Sequence, residues 1–204
     1  AMQAKANSDS MVTDSRDGNT YRTVVINGYR VFAENLRYRD SLANVNLKGT
    51  IRCVGEYADY CDIGVNYSWT AAMNLDSKWS SMSVGALVTE QHQGICPDGW
   101  HIPDTTEWKL MLSGKEYIAL LMKGFAGNEY NYDGFLSATD ASGISAVPNY
   151  GYSTKPEYWS ATEGSVKYQK NAYTLPISVG YWGDGSSKDS SRPVRCIQDY
   201  PVEP

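Results

Sequence analysis

The stretch Cys96-Pro-Asp-Gly-Trp-His-Ile-Pro103, followed at once by Asp104-Thr-Thr-Glu-Trp108, decides how this chain is interpreted. A cysteine and a histidine so close together suggest a reactive centre, with Cys96 as nucleophile and His101 as base. The alternative is architecture: the two prolines fix the backbone on either side of Trp100, which then fills a core. These interpretations place the protein in different functional classes.

Two short helices are predicted. Asp104 is a capping residue with an acid three positions later, Glu107, and this capping-box pattern starts a helix that continues through Trp108–Leu112. Pro103 ends any strand that precedes this helix. A second helix is predicted within Tyr67–Leu75, where alanine and methionine are good helix formers.

Residues 12–33 are predicted to form a β-meander. The dipeptides Asp17-Gly18 and Asn27-Gly28 are typical of hairpin turns, and Tyr21–Ile26 between them is rich in β-branched residues. Tyr29–Phe32 is the returning strand. Together with the helices, this pattern predicts an α+β domain with many short antiparallel strands and long loops.

The predicted organisation is a single domain over residues 12–199, whose last strand is Pro193–Gln198. Residues 1–11 are polar and are interpreted as a disordered segment or a remnant of cloning, with no signal peptide among them. Residues 200–204 form a C-terminal tail. We expect no transmembrane segment, because no apolar run approaches the ~18 residues that one requires.

Composition excludes one class of partner and favours another. The net charge of −5 argues against nucleic acid, because binding a phosphate backbone needs a basic face. The chain has 16 Tyr and 6 Trp but only 3 Phe. Tyr and Trp combine a large apolar body with a polar group, so they suit interfaces as well as cores.

The cysteines, Cys53, Cys61, Cys96 and Cys196, allow three disulfide connectivities. Cys53 and Cys61 bracket a short polar loop that a local bridge would close, which leaves Cys96 to pair with Cys196 across about half the chain. Such bridges indicate an oxidising compartment. The alternative is four buried free thiols. The spacing matches no zinc pattern, so we expect no metal site of this kind.

Six blocks of the sequence resemble, in the same order, the Fibrobacter succinogenes major paralogous domain family. They are Asn19–Leu36, Tyr67–Met73, Cys96–Pro103, Glu107-Trp108, Tyr158–Glu163 and Val194–Cys196. That family is similar in pattern to the C-type lectin-like superfold, which includes the formylglycine-generating enzymes. The start of a helix in proteins of that superfold looks like Ile102–Trp108 of this sequence. The resemblance implies a bacterial C-type lectin-like domain that is secreted or lies at the cell surface.

The resemblance also favours the architectural interpretation of the opening stretch. It implies that Cys96 pairs with Cys196 and that His101 makes a buried hydrogen bond, because a catalytic pair needs a free thiol and an orienting partner. The expected structural core residues are Trp69, Trp100, His101, Trp108 and Trp159. The active-site cysteines of formylglycine-generating enzymes are not carried over, since Cys196 belongs to the block that is expected to be bridged.

No catalytic residue is predicted, and we expect a protein that is not an enzyme. The chain has no Gly-x-Ser-x-Gly elbow, no Gly-rich phosphate loop and no His-Glu-x-x-His. The alternative is a glycan-active enzyme, which needs two facing carboxylates. The acids available for this are Glu107, Glu129, Asp133, Glu157 and Glu163, of which Glu107 is accounted for by capping.

The ligand-binding candidates are aromatic residues that lie beside amides and carboxylates in the second half of the chain. Sugar rings stack on such aromatic side chains while Asn and Asp bind the hydroxyls, although tyrosine and glycine also simply build packed loops. The candidates are Tyr130, Tyr132, Asp133, Asn149, Tyr150, Tyr152, Tyr181, Trp182 and Asp184. No cofactor is expected; a structural calcium ion near Asn128–Asp133 is left open, and the calcium-dependent lectin pattern is absent.

Two functions are predicted from these observations. The first is a non-enzymatic adhesion module that binds carbohydrate, either polysaccharide or another surface ligand, through its Tyr/Trp-rich loops. The second is a structural or protein-interaction domain of an envelope, pilus or adhesin assembly, since exposed aromatic loops suit protein partners equally well.

Overall fold

The computed structural model describes residues 10–53, 58–113, 143–146, 157–165, 169–176 and 185–199. The described part contains two α-helices, α1 (Trp69–Ala72) and α2 (Thr105–Leu112). Its strands are β1 (Ser10–Thr13), β2 (Thr20–Ile26), β3 (Tyr29–Phe32), β4 (Ile51–Cys53), β5 (Val65–Tyr67), β6 (Trp100–His101), β7 (Glu157–Glu163), β8 (Asn171–Pro176), β9 (Ser186–Ser187), β10 (Arg192–Pro193) and β11 (Ile197–Gln198). Short 3-10 helices occur at Val45–Leu47, Ala58–Ile63, Ser77–Ser81 and Gly85–Leu87.

The predicted mixture of few helices and short antiparallel strands is confirmed. The strands of the described part form three sheets, in the orders β1-β2-β3-β11-β6, β10-β5-β4 and β7-β8-β9. Every strand pair among them is antiparallel.

The predicted meander is formed by β1, β2 and β3. Asn27 and Gly28 turn the chain between β2 and β3 with φ angles of 48° and 86°, and Ile26 pairs with Tyr29 across the turn. Two consecutive residues with positive φ match the right-handed twist of the strands, which is why an Asn-Gly pair is favoured here.

The structured part of the chain begins earlier than predicted. Strand β1 starts at Ser10, which pairs with Thr23 of β2, so Ser10 and Met11 do not belong to a disordered segment. The side chains of Ser10 and Thr23 are also hydrogen bonded, at 2.8 Å. Strand β1 has only four residues, and their side chains alternate between half-buried and exposed. Its sequence therefore resembles the polar segment that precedes it.

The predicted single strand Pro193–Gln198 is wrong. Its ends belong to different sheets: β10 pairs with β5, and β11 lies between β3 and β6. The three residues that separate them, Val194, Arg195 and Cys196, are all fully buried.

Both helices begin where a side chain caps the backbone. Helix α2 has the predicted capping box: the Asp104 carboxylate accepts the Glu107 amide at 2.8 Å, and the Glu107 carboxylate accepts the Asp104 amide at 2.9 Å. Helix α1 is shorter than predicted because Tyr67 belongs to β5, Ser68 caps the helix, and Asn74 beyond its end has a φ of 54°.

The sheet β7-β8-β9 lies between two hydrophobic clusters. Consecutive residues of β7 contribute to different clusters: Trp159 packs with Trp69 and Trp100, whereas Tyr158 packs with Trp108 and Met111 of α2. Because the side chains of a strand alternate, one strand can serve both clusters.

The aromatic residues expected in the core are buried. Their exposed fractions are 0% for Trp69, 6% for Trp100, 1% for His101, 0% for Trp108 and 0% for Trp159. Buried indoles need an acceptor for their N–H group. Trp69 donates to the Ser160 carbonyl at 2.9 Å, and Trp159 donates to the Tyr67 carbonyl at 2.8 Å.

Arg195 is a fully buried cation that joins separate parts of the chain. Its guanidinium donates to the carbonyls of Phe32 at 2.9 Å, Ile144 at 2.8 Å and Ser145 at 3.0 Å. It also donates to the Asn35 side chain at 2.9 Å and the Tyr158 hydroxyl at 3.2 Å. A guanidinium has five N–H groups, so these five contacts satisfy all of them.

Both expected disulfides are present. Cys53 is bonded to Cys61, with a sequence separation of 8, and Cys96 is bonded to Cys196, with a separation of 100. The second bridge is fully buried and connects the loop before β6 to the segment before β11.

Replacing Arg195 by Met should lower the free energy of unfolding by about 3 kcal/mol or more, because several buried carbonyls each lose their donor. Arg195→Lys should lose somewhat less, since a lysine keeps the charge but cannot reproduce the planar fork. Urea unfolding measures both changes. The matched control is Arg52→Met at an exposed position of β4, which should shift the free energy by no more than about 0.5 kcal/mol.

Removing the 96–196 bridge should destabilise the domain more than removing the 53–61 bridge. The entropy of closing loops of 100 and 8 residues corresponds to about 4.7 and about 2.5 kcal/mol, as upper limits. The comparison requires urea unfolding of Cys96→Ala/Cys196→Ala and Cys53→Ala/Cys61→Ala. Equal losses, or a larger loss from the short loop, would contradict this ranking.

Candidate functional site

The predicted ligand-binding residues lie outside the described residues. This holds for Tyr130, Tyr132, Asp133, Asn149, Tyr150, Tyr152, Tyr181, Trp182 and Asp184, and also for the calcium candidate at 128–133. Their prediction therefore continues to rest on the sequence. The structure describes the residues that flank them.

The described flanks of these aromatic segments lie close together. Glu157, where β7 begins, pairs with Pro176, where β8 ends. The Ser145 carbonyl accepts a hydrogen bond from Arg195, and the same guanidinium nitrogen of Arg195 donates to the hydroxyl of Tyr158. Glu157 follows the segment 147–156 in sequence and Pro176 precedes the segment 177–184, so these two flanking residues are neighbours in the sheet.

An open cleft of ≈ 250 Å³ lies between helix α2 and the strands β7 and β8. It is lined by Thr105 and Lys109 from the helix, Thr162 from β7 and Tyr173 from β8. Thr105 and Lys109 are four positions apart and so share one face of α2. Lys109 is exposed, whereas the other three are half-buried.

The two threonines of the cleft are hydrogen bonded to each other. The Thr162 hydroxyl donates to the Thr105 hydroxyl at 3.2 Å and accepts from the Thr105 amide at 3.0 Å. Thr162 also accepts from the Ser160 hydroxyl at 3.3 Å. A hydroxyl has one proton and two lone pairs, so Thr162 is saturated, and it fixes the side chain of Thr105.

His101 contacts the first turn of helix α2 and lies between two carboxylates. Its Nε2 is 2.9 Å from Glu107 and its Nδ1 is 2.8 Å from Asp199, next to the end of β11. The imidazole is almost fully buried. Because Glu107 also completes the capping box, His101 connects the first turn of α2 to the last described residue of the chain.

The pKa of His101 is raised above its ordinary value. Burial by itself lowers this pKa, but the hydrogen bonds to Glu107 and Asp199 and the charges of these two carboxylates outweigh burial. An imidazolium can donate from both nitrogens, whereas a neutral imidazole leaves one nitrogen facing a carboxylate without a proton. The doubly bonded arrangement therefore suits the protonated form.

These contacts identify the opening stretch as architecture. Cys96 is bonded to Cys196 and has no thiol, and His101 uses both ring nitrogens to hold Glu107 and Asp199. The expected buried hydrogen bond of His101 is confirmed, and the second carboxylate, Asp199, was not anticipated from the sequence.

The described carboxylates considered for glycoside hydrolysis are bound by neighbouring side chains. Glu157 accepts from Arg192 at 2.7 Å and from Thr174 at 2.6 Å. Glu163 accepts from Ser83 at 2.8 Å and is paired with Lys188. Glu129 and Asp133 lie outside the described residues.

Lys188 is a buried residue that sequence reasoning missed. It is fully buried, donates to the carbonyls of Trp79 at 3.2 Å and Met82 at 2.7 Å, and contacts Glu163. Its ammonium also lies 4.8 Å from the centre of the Trp69 ring. The surrounding sequence of Ser, Gly and Asp is typical of an exposed loop, so no local signal distinguishes this lysine.

Within the described ranges, no group of three or more His, Cys, Asp or Glu residues is placed to hold a metal ion. In the same part of the chain, no helix is long and apolar enough to cross a membrane.

Comparisons with protein-family models, with curated protein sequences and with solved structures return no match. The family resemblance described above therefore stays a prediction from the sequence, and the fold is described by its sheets and helices alone.

The stability of the domain should fall as the pH rises from the ordinary histidine pKa, about 6.5, through the raised pKa of folded His101. The folded state binds the His101 proton more tightly than the unfolded state, whose pKa is about 6.5. This contribution is complete below the unfolded pKa and is lost as the pH rises through the raised pKa of the folded state. Urea unfolding over a pH series, together with an NMR titration of the imidazole, measures both quantities.

His101→Gln should remove this pH dependence, and His92→Gln is the matched control. His92 is the other histidine of the chain, and its Nε2 lies 2.9 Å from the Met73 carbonyl. The His92 variant should keep the slope. An unchanged slope in His101→Gln would show that the proton does not reside on His101.

Proposed function

We propose that this chain is an exported, non-enzymatic binding module of C-type lectin-like architecture, which recognises polysaccharide or another surface ligand. Its binding residues are the Tyr/Trp-rich candidates between 130 and 184. The resemblance to the major paralogous domain family supports this architecture, and so does the helix start at Asp104–Trp108, on which the likeness to the superfold rests.

The observation that carries the proposal is the set of contacts that hold residues flanking the aromatic segments. Glu157 and Pro176 are paired, and the carbonyls of Ile144 and Ser145 are held by Arg195. Binding residues are effective when a rigid scaffold positions the loops that bear them. Here Ile144 is fully buried, and Glu157 is bound by Arg192 and Thr174.

Export is supported by the two disulfides. Bridges such as Cys53–Cys61 and Cys96–Cys196 persist in oxidising surroundings, whereas cytosolic thiols are kept reduced. A module outside the cell meets polysaccharides and the surfaces of other cells, which agrees with the proposed ligands.

A second candidate function is protein interaction within an envelope, pilus or adhesin assembly. The side chains of Leu42 and Val45 favour it, because they are 98% and 74% exposed. Contiguous apolar surface marks contacts with protein partners, and these two side chains, three positions apart, would contribute to such a surface. Crosslinking on whole cells distinguishes this function: specific protein partners without any polysaccharide binding would replace the first proposal.

The main experiment is a glycan array combined with a pull-down on insoluble plant and cell-wall polysaccharides. Tyr150→Ala/Tyr152→Ala and Trp182→Ala should weaken binding by at least about tenfold if these rings are central contacts. Leu42→Ala is the matched control, since it truncates an exposed side chain elsewhere. Failure of the parent protein to bind any polymer would remove the proposal.

The glycan-active enzyme is tested in the same assays. Release of soluble sugar by the parent protein, lost in Glu157→Gln or Glu163→Gln, would establish hydrolysis. The present contacts of both acids, with Arg192 and Lys188, are those of structural ion pairs.

A further inference from the structure

We propose that the cleft between α2 and the β7–β8 hairpin binds a single neutral pyranose ring of a saccharide. The ring stacks on Tyr173, and the hydroxyl of Thr105 binds a sugar hydroxyl. This inference rests on the proposed function and adds a specific subsite and ligand class to it. The residues that carry this inference, Thr105, Thr162 and Tyr173, are all described by the structure and are not among the aromatic candidates named from the sequence.

The size of the cleft selects a small ligand. Its volume of ≈ 250 Å³ is below the roughly 300–1,000 Å³ of pockets that enclose drug-sized molecules. It is also open to solvent on one side, so the remainder of a polymer can continue outside it. One ring of a longer chain, or a branch of one ring, fits this shape.

Thr105 presents the hydrogen-bonding capacity that a sugar hydroxyl requires. Its oxygen accepts a hydrogen bond from the Thr162 hydroxyl, which leaves the Thr105 proton and one lone pair. Among the described residues, no further partner of this hydroxyl is found. A sugar hydroxyl both donates and accepts, so it can engage both of these positions, while the bond from Thr162 keeps Thr105 oriented.

Tyr173 supplies the apolar surface of the subsite. The residue is half-buried on β8 and lines the cleft. A tyrosine ring offers a large, rigid contact area, and because its side chain has few rotatable bonds, little conformational entropy is lost on binding. Such a surface suits the C–H face of a pyranose. Lys109 also lines the cleft.

The charges around the helix start favour a neutral sugar over an acidic one. A helix N-terminus attracts anions through its free amides, but those of α2 are already bound within the protein. The Thr105 amide donates to Thr162, those of Thr106 and Glu107 donate to Asp104, and that of Asp104 donates to Glu107. Two carboxylates therefore occupy the position that an acidic ligand would need.

The net charge of −5 acts in the same direction, because it opposes the approach of an anionic polymer. The ligand class is thus a neutral hexose or pentose in its ring form. Uronic acids are disfavoured.

The test is an amide NMR titration of the full chain with methyl glycosides of glucose, galactose, mannose and xylose, and with methyl glucuronide as the acidic probe. At least one neutral glycoside should shift the amide signals of Thr105, Thr106 and Thr162. Tyr173→Ala should weaken its binding by about tenfold or more, whereas Tyr173→Phe, which keeps the ring, should weaken it less.

A second pair of variants tests the hydroxyl independently of the ring. Thr105→Val should weaken binding by about two- to tenfold, and Thr105→Ser, which restores the hydroxyl, should recover most of the loss. The matched control is Leu110→Ala, an exposed position of α2 that does not line the cleft. Unchanged thermal unfolding of each variant shows that the fold is retained.

Each outcome supports or overturns the subsite. Binding of neutral glycosides that is unaffected in both Tyr173→Ala and Thr105→Val overturns the subsite and leaves the proposed function standing. Binding of the glucuronide alone overturns the ligand class. If the parent protein binds neither the glycosides nor any polysaccharide of the pull-down, the subsite and the proposed function fail together.

Discussion

The buried guanidinium of Arg195 is the interaction on which the arrangement of this domain depends. Its acceptors come from the end of β3, from the segment 143–146 and from β7. Strands β3 and β7 belong to different sheets. The acceptors are all neutral oxygen atoms, so the charge is balanced by dipoles alone. A buried cation is costly unless every N–H group has a partner, and this requirement brings the three parts into one geometry.

The disulfide next to Arg195 acts on the same part of the molecule. Cys196 is bonded to Cys96, which lies four positions before β6, and β11 begins directly after Cys196 and inserts between β3 and β6. The disulfide and the pairing of β11 with β6 therefore hold residues 96–101 next to residues 196–198. Because the β7–β8 hairpin packs between the two clusters, fixing these segments also fixes the surface from which the cleft is built.

Sequence reasoning succeeded where the determining contacts are local. The Asn27-Gly28 turn and the Asp104–Glu107 capping box involve residues within four positions of each other, so their patterns can be read directly. It failed where partners are distant. Arg195 contacts Asn35 across 160 positions, and Lys188 contacts Met82 across 106, so both look like ordinary surface cations. The cleft was missed for the same reason, since its threonines lie 57 positions apart.

The structural role of His101 extends to the proposed subsite through one chain of contacts. The imidazole lies 2.9 Å from Glu107, Glu107 binds the Asp104 amide, and Asp104 caps the turn that begins with Thr105. Thr105 is itself a wall of the cleft. Because each of these contacts positions the next residue, a change at His101 acts on the helix start and so on Thr105. The two contacts of His101 therefore connect Asp199, the last described residue, to the helix that borders the cleft.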